Sequence, residues 1–89
     1  MSIFYNFVLK NIAGANVVMP VGEAVGKING MIKLNLSAKV IWDSLEANKD
    51  FDGIMEEMKN TFSDVDEETL KEDINTFLNK LREHEILVD

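Results

Sequence analysis

The stretch Ile28-Asn29-Gly30-Met31-Ile32-Lys33-Leu34-Asn35-Leu36-Ser37 lies where the sequence changes from a strand pattern to a helix pattern. Asn29-Gly30 favours a type I′ turn, because both residues accept positive φ angles. The residues after the turn alternate between two faces, with Ile32, Leu34 and Leu36 on one and Met31, Lys33 and Asn35 on the other. This period of two predicts a strand at about residues 31–35, which we expect at the edge of a sheet.

Two more strands are predicted before this turn. Residues 5–10 alternate in the same way, with Tyr5, Phe7 and Leu9 on one face and Asn6, Val8 and Lys10 on the other. The small and turn-forming residues 13–16 predict a hairpin. Val17-Val18-Met19 then forms the returning strand, which Pro20 and Gly22 interrupt. We therefore expect a three-stranded antiparallel meander.

From Ser37 the apolar residues recur with the period of a helix. Ser37 is the expected N-cap, because its hydroxyl can accept from an N–H of the first turn. Leu36 and Ile41 are spaced for a hydrophobic staple around it. The apolar stripe consists of Val40, Ile41 and Leu45, with Trp42 on its flank. Residues 47–49 end this first helix.

Two further helices follow, each with an aspartate at its start. Asp50 is the expected cap of the second helix and Asp66 that of the third. The apolar positions are Ile54, Met55, Met58 and Phe62 in the second helix, and Leu70, Ile74, Phe77, Leu78 and Leu81 in the third. Glu85 ends the third helix, and residues 86–88 predict a brief final strand.

The order of these elements defines the fold class. Strands segregated from helices indicate an α+β fold. A short helix–turn–helix beside a small sheet is the plan of winged-helix proteins. The prediction is a winged-helix-like domain over residues 1–89, in which a three-stranded antiparallel N-terminal meander precedes a three-helix bundle. At 89 residues the chain accommodates one core.

The charge distribution argues against a nucleic-acid partner. Residues 1–36 hold three lysines and one glutamate, whereas residues 37–89 hold six basic and fifteen acidic residues. An acidic helical half repels phosphates. The chain has no cysteine, no apolar run long enough to span a membrane and no basic, apolar start typical of a signal peptide. We expect a cytoplasmic protein that contacts no membrane.

No catalytic pattern emerges from the polar residues. His84 is the only histidine and falls near the end of the third helix, where its side chain can interact favourably with the helix dipole. The carboxylates have no calcium-loop spacing, and the glycines do not form a phosphate-binding loop. We expect a protein that is not an enzyme and holds no metal or cofactor.

Several stretches together resemble the family of pyrroloquinoline quinone biosynthesis protein D (PqqD), which includes the recognition elements of ribosomally made, modified peptides (RiPP recognition elements). The resemblance covers about residues 5–88. The stretches that carry it are Phe7-Val8-Leu9-Lys10, residues 13–24, residues 28–35, Ile41-Trp42-Asp43-Ser44-Leu45, Val65-Asp66-Glu67-Glu68, residues 73–78 and residues 81–87. The sequence departs from the family at two places. Leu36-Ser37-Ala38-Lys39 replaces a Glu-Thr-Gly-like helix start, and Glu85 stands where a glycine usually caps the third helix.

The resemblance implies a peptide chaperone. Members of this family bind the leader of a precursor peptide and deliver it to a modifying enzyme, commonly a radical S-adenosylmethionine maturase. The leader adds as a strand to the third strand, beside the third helix. The peptide-binding residues expected on this basis are Met31, Ile32, Lys33, Leu34, Leu70, Asp73, Ile74 and Phe77. Periodicity alone leaves open whether Leu70, Ile74 and Phe77 form a groove wall or pack in the core.

Two other functions remain open at the level of sequence. One is a DNA-binding winged helix, although the third helix is a poor phosphate-facing surface. The other is a general protein-interaction domain without a peptide groove. An open edge strand also allows pairing with a second copy, so we expect a monomer or a weak homodimer.

Overall fold

The computed structural model describes residues 2–3, 7–22, 25 and 31–88. The elements in these ranges are β1 (Ser2–Ile3), β2 (Phe7–Ile12), β3 (Ala15–Pro20), β4 (Ile32–Leu34), α1 (Leu36–Glu46), α2 (Phe51–Thr61), α3 (Glu67–Glu83) and β5 (Leu87–Val88). The predicted α+β fold, with antiparallel strands before three helices, is confirmed. The Asn29-Gly30 turn and Tyr5, the expected start of the first meander strand, lie outside the described residues.

The sheet of the meander has the order β2–β3–β4, and both pairings are antiparallel. A two-residue turn at Ala13-Gly14 joins β2 to β3, with φ angles of 53° and 85°. Positive φ at both positions defines a type I′ turn, whose twist matches that of the flanking strands. The hairpin is therefore tighter than predicted, because Ala15 and Asn16 already belong to β3.

A second, two-stranded pairing joins the beginning and the end of the described chain. Ser2 lies opposite Val88 and Ile3 lies opposite Leu87. The brief final strand predicted after α3 is thus present as β5. Its partner β1 was not predicted, because two residues are too few to display a period.

The start of α1 corrects the predicted cap. Asn35, not Ser37, is the N-cap, and its Oδ1 accepts from the backbone N–H of Ala38 at 2.9 Å. Ser37 lies inside the first turn, where its hydroxyl donates to the same Oδ1 at 3.0 Å. Asparagine and serine are comparably good caps, so the local pattern did not separate them. The predicted staple is also wrong, since Leu36 is 61% exposed.

The other two N-caps are confirmed. The Asp50 carboxylate accepts from the backbone N–H of Gly53 at 2.9 Å, and that of Asp66 accepts from Thr69 at 2.8 Å. The hydrogen bond from the Thr69 backbone, followed by that from its side chain, lowers the pKa of Asp66 below its ordinary value of 3.8.

The C-terminal end of α3 is a Schellman motif without glycine. The helix ends at Glu83, two residues earlier than predicted, and His84 is its C-cap. The backbone N–H of Glu85 donates to Arg82 and that of Ile86 donates to Leu81. Glu85 has a φ of 58°, the left-handed conformation that glycine adopts most easily.

The core lies between the inner face of the sheet and the three helices. Trp42, which was expected on the flank of α1, is fully buried, and its indole N–H donates to Glu46. The sheet contributes Phe7, Val18, Ile32 and Leu34, and the helices contribute Ile41, Leu45, Ile54, Met58, Leu70, Ile74, Leu78 and Leu81. This packing fixes the position of β4 relative to α3.

Candidate functional site

Among the described residues, one edge of the sheet beside the helices has no partner strand. Within the described part of the chain, β4 pairs only with β3, through Asn16 with Leu34, Val17 with Lys33 and Val18 with Ile32. The opposite edge of β4 faces away from β3. Its free backbone groups are available to a further strand.

The register identifies which backbone groups those are. A type I′ turn is closed by a hydrogen bond between its first and fourth residues, so Ile12 and Ala15 form a hydrogen-bonded pair. Hydrogen-bonded and non-hydrogen-bonded pairs alternate along antiparallel strands. Val17 therefore directs its backbone groups to β2, and the pair Val17–Lys33 is not hydrogen-bonded.

It follows that Ile32 and Leu34 direct their backbone groups to β3, whereas Lys33 directs its N–H and C=O to the open edge. The side chains of Ile32 and Leu34 are buried, and that of Lys33 is exposed. Lys33 is thus the central backbone contact that this edge offers to an added strand.

A groove of about 470 Å³ runs between the end of β4, the start of α1 and the middle of α3. Its lining combines a small apolar floor with polar walls. The lining residues are Lys33, Leu34, Asn35, Ser37, Ala38, Ile41, Asp73, Thr76, Phe77 and Lys80. The groove therefore lies directly beside the open edge of β4.

The floor and the walls of the groove differ in their chemistry. Leu34, Ile41 and Phe77 are 4%, 1% and 8% exposed, so they offer narrow apolar contact areas. Asp73 and Lys80 are exposed on α3. The ion pairs found among the described residues lie elsewhere and join Lys39 to Asp43, Lys49 to Glu57 and Lys59 to Glu67. The charges of the groove are thus free to contact a ligand.

The structure brings together four of the eight residues expected to bind a peptide. Lys33, Leu34, Asp73 and Phe77 line the groove. Met31 immediately precedes β4, does not line the groove and is 59% exposed. The other three, Ile32, Leu70 and Ile74, are buried in the core and do not line the groove.

The contributions of α1 and of part of α3 to the groove were not predicted from the sequence. Asn35, Ser37, Ala38 and Ile41 were missed because α1 begins earlier than predicted and turns its first residues toward the groove. Thr76 and Lys80 follow Asp73 at helical spacings of three and seven residues. That spacing was the available signal, because it places all three on one helix face.

The described residues hold no group of three or more histidine, cysteine, aspartate or glutamate side chains placed to bind a metal ion. His84 lies at the C-cap of α3 and does not line the groove. No helix in the described ranges has the length and hydropathy needed to cross a membrane.

The strand order, the three capped helices and the open edge define a small α+β domain of the winged-helix type. The chain belongs to the PqqD family, since the family model described as "Coenzyme PQQ synthesis protein D (PqqD)" matches residues 8–87. Among solved structures, the chain is similar to "TbiB1 in Complex with the TbiA(beta) Leader Peptide", with a TM-score of 0.78, 24% identity and full coverage of both chains. No curated protein matches the sequence significantly.

Proposed function

We propose that this chain is a peptide chaperone, which binds the leader of a ribosomally made precursor peptide and presents it to a modifying enzyme. The observation that carries the proposal is the open edge of β4 beside the groove under α3. Strand addition to an exposed edge uses backbone hydrogen bonds for affinity and side-chain pockets for specificity. Membership of the PqqD family supports this function, and TbiB1 is a protein of the same fold in complex with a leader peptide.

The short edge makes the groove essential to affinity. Lys33 offers two backbone groups, each worth about 1 kcal/mol net when it is hydrogen-bonded. An apolar anchor on the groove floor adds about 1.5–3 kcal/mol if it is fully buried. Association costs of several kcal/mol oppose these gains. Backbone pairing alone therefore gives weak binding, and side-chain contacts in the groove have to supply the remainder.

We assign the eight predicted residues to two layers. Lys33, Leu34, Asp73 and Phe77 contact the peptide in the groove, and Met31 contacts it at the entry to β4. Ile32, Leu70 and Ile74 support these residues from the core, where their burial holds β4 against α3. Replacing a supporting residue then changes fold stability as well as binding.

The role proposed here is binding without catalysis. The enzyme that receives the peptide is a radical S-adenosylmethionine maturase, as is common for the family. Binding takes place in the cytoplasm, where the precursor is translated. The protein acts as a monomer or weak homodimer, because a leader strand and a second copy would compete for the same edge of β4.

Lys33→Pro tests strand addition directly. Proline removes the N–H that points to the open edge and leaves the bonds between β4 and β3 in place. We expect a loss of affinity of about fivefold or more, since one hydrogen bond of about 1 kcal/mol is removed, for synthetic peptides that tile the short reading frames next to this gene, with the fold retained by circular dichroism. In the wild-type protein, amide shifts should concentrate at residues 31–35 and 73–80.

Two matched variants complete this experiment. Asn11→Pro removes an outward N–H from the opposite edge of the sheet and should bind as the wild type does. Ile32→Pro removes a bond to β3 and should destabilise the fold. Wild-type affinity in a folded Lys33→Pro variant, or shifts confined to residues 40–60, would exclude strand addition at β4.

A further inference from the structure

One face of α3 presents two opposite charges to the groove. Asp73, Thr76, Phe77 and Lys80 all line it, at spacings of three, four and seven residues. Asp73 and Lys80 are therefore separated by about 10 Å along the helix axis, at 1.5 Å per residue. Phe77 lies between them on the same face.

These two charges have no counterion in the described part of the chain. Each of the ion pairs described above uses other residues, and neither Asp73 nor Lys80 accepts or donates a side-chain hydrogen bond there. Both side chains are exposed. Both side chains therefore face whatever fills the groove.

An extended peptide can match this spacing. Side chains on one face of a strand recur every two residues, which is about 6.6 Å, and every four residues, which is about 13 Å. Long side chains four residues apart span the distance from Asp73 to Lys80 with a small inward tilt. The residue midway between them then meets the apolar floor formed by Leu34, Ile41 and Phe77.

We propose that Asp73 and Lys80 select the charge order, and with it the chain direction, of the bound peptide. The preferred segment carries a basic residue opposite Asp73, an apolar residue over the floor and an acidic residue opposite Lys80. A peptide with the two charges exchanged meets like charges at both ends. This inference rests on the proposed function and specifies the class of peptide that the groove accepts.

A display library of nine-residue peptides tests the proposal. Threonine is fixed at the even positions, which point away from the groove, and the odd positions are randomised. We expect the wild-type protein to enrich one order of basic, apolar and acidic residues at positions 3, 5 and 7. In titrations, exchanging the two charges of the best peptide should weaken binding about four- to thirtyfold. The reason is that two partly exposed ion pairs are each replaced by a contact between like charges.

The decisive variant carries Asp73→Lys and Lys80→Asp together. It keeps the net charge of −7 and should prefer the exchanged peptide. Because the preference is a ratio of two affinities for one protein, a change in fold stability does not alter it. The neutral double variant Asp73→Asn and Lys80→Met should lose most of this preference, because Lys33 is then the one charged residue left in the lining.

Glu68→Lys combined with Lys71→Glu is the matched control, since it exchanges charges on α3 at positions that do not line the groove. This control should keep the wild-type preference. Enrichment of peptides without a preferred charge order, or an order that the groove variant leaves unchanged, would overturn the inference while the proposed function stands. Failure to enrich any peptide would overturn both.

Discussion

Glu85 occupies a backbone position that suits glycine better. Its φ of 58° costs an L-residue about 1–2 kcal/mol, and its N–H is held by the Schellman hydrogen bond to Arg82. Asn48 has a φ of 60° after α1, but asparagine tolerates this conformation. The chain thus retains strain after α3 that a single substitution can relieve.

We predict that Glu85→Gly stabilises the protein by about 0.5–1 kcal/mol, because the relief of strain exceeds the added flexibility of the unfolded chain. Thermal unfolding should show a melting temperature higher by about 2–8 °C. Glu83→Gly places the same residue inside the last turn of α3 and should lower the melting temperature. A decrease with Glu85→Gly would contradict the strain argument.

At the scale of elements, α3 begins with a cap whose strength depends on pH. The Asp66 carboxylate accepts from the Thr69 backbone, and this bond lowers the pKa of Asp66 in the folded state. A lowered folded-state pKa stabilises the folded protein at pH values above the pKa of the unfolded state. This contribution is lost as the pH falls through the lower, folded-state value.

We predict that Asp66→Asn lowers the free energy of unfolding by a constant amount above about pH 5, and that the difference from wild type shrinks below about pH 4. Denaturant titrations of both proteins at pH 7, 5 and 3 measure this difference in the free energy of unfolding. Asp64→Asn removes a charge from the preceding turn, outside the cap, and serves as the control. A difference that grows toward low pH would contradict the assignment.

The elements themselves were predictable because caps and periodicity act locally. Asp50 and Asp66 could be identified from sequence, since each precedes a clear apolar helix pattern. The cap Asn35 could not be identified from the sequence, because Leu36 continues the alternation of β4 and hides the start of α1.

In the groove, the spacing of Asp73, Thr76 and Lys80 was visible in the sequence, but which helix face meets β4 depends on tertiary packing. Apolar periodicity likewise could not distinguish the groove residue Phe77 from the core residue Ile74.

At the scale of the whole molecule, a single core joins all three helices to the sheet. Ile54 on α2 and Trp42 on α1 are both fully buried in it. The groove has no residue from α2 among its lining. The second helix therefore stabilises the site indirectly, by packing against α1 and completing the core.

We predict that Ile54→Ala lowers the free energy of unfolding by about 2–5 kcal/mol, through the loss of buried contacts and the cavity that remains. The fluorescence of Trp42, the only tryptophan, reports unfolding in denaturant. Val65→Ala alters an exposed residue of the turn before α3 and should change stability by less than about 0.5 kcal/mol. A cost below about 1 kcal/mol for Ile54→Ala would show that α2 is not part of the cooperative core.

The pairing of β1 with β5 has a consequence for how the chain can be reordered. Ser2 lies directly opposite Val88, so their Cα atoms are within about 6 Å and a linker of a few residues can join them. New termini can then be opened in the exposed turn at residues 63–65. Such a circular permutant would start with α3 and end with α2, with β4, α1 and α3 still in contact. Peptide binding by it would show that the groove depends on packing and not on the order in which its walls are synthesised.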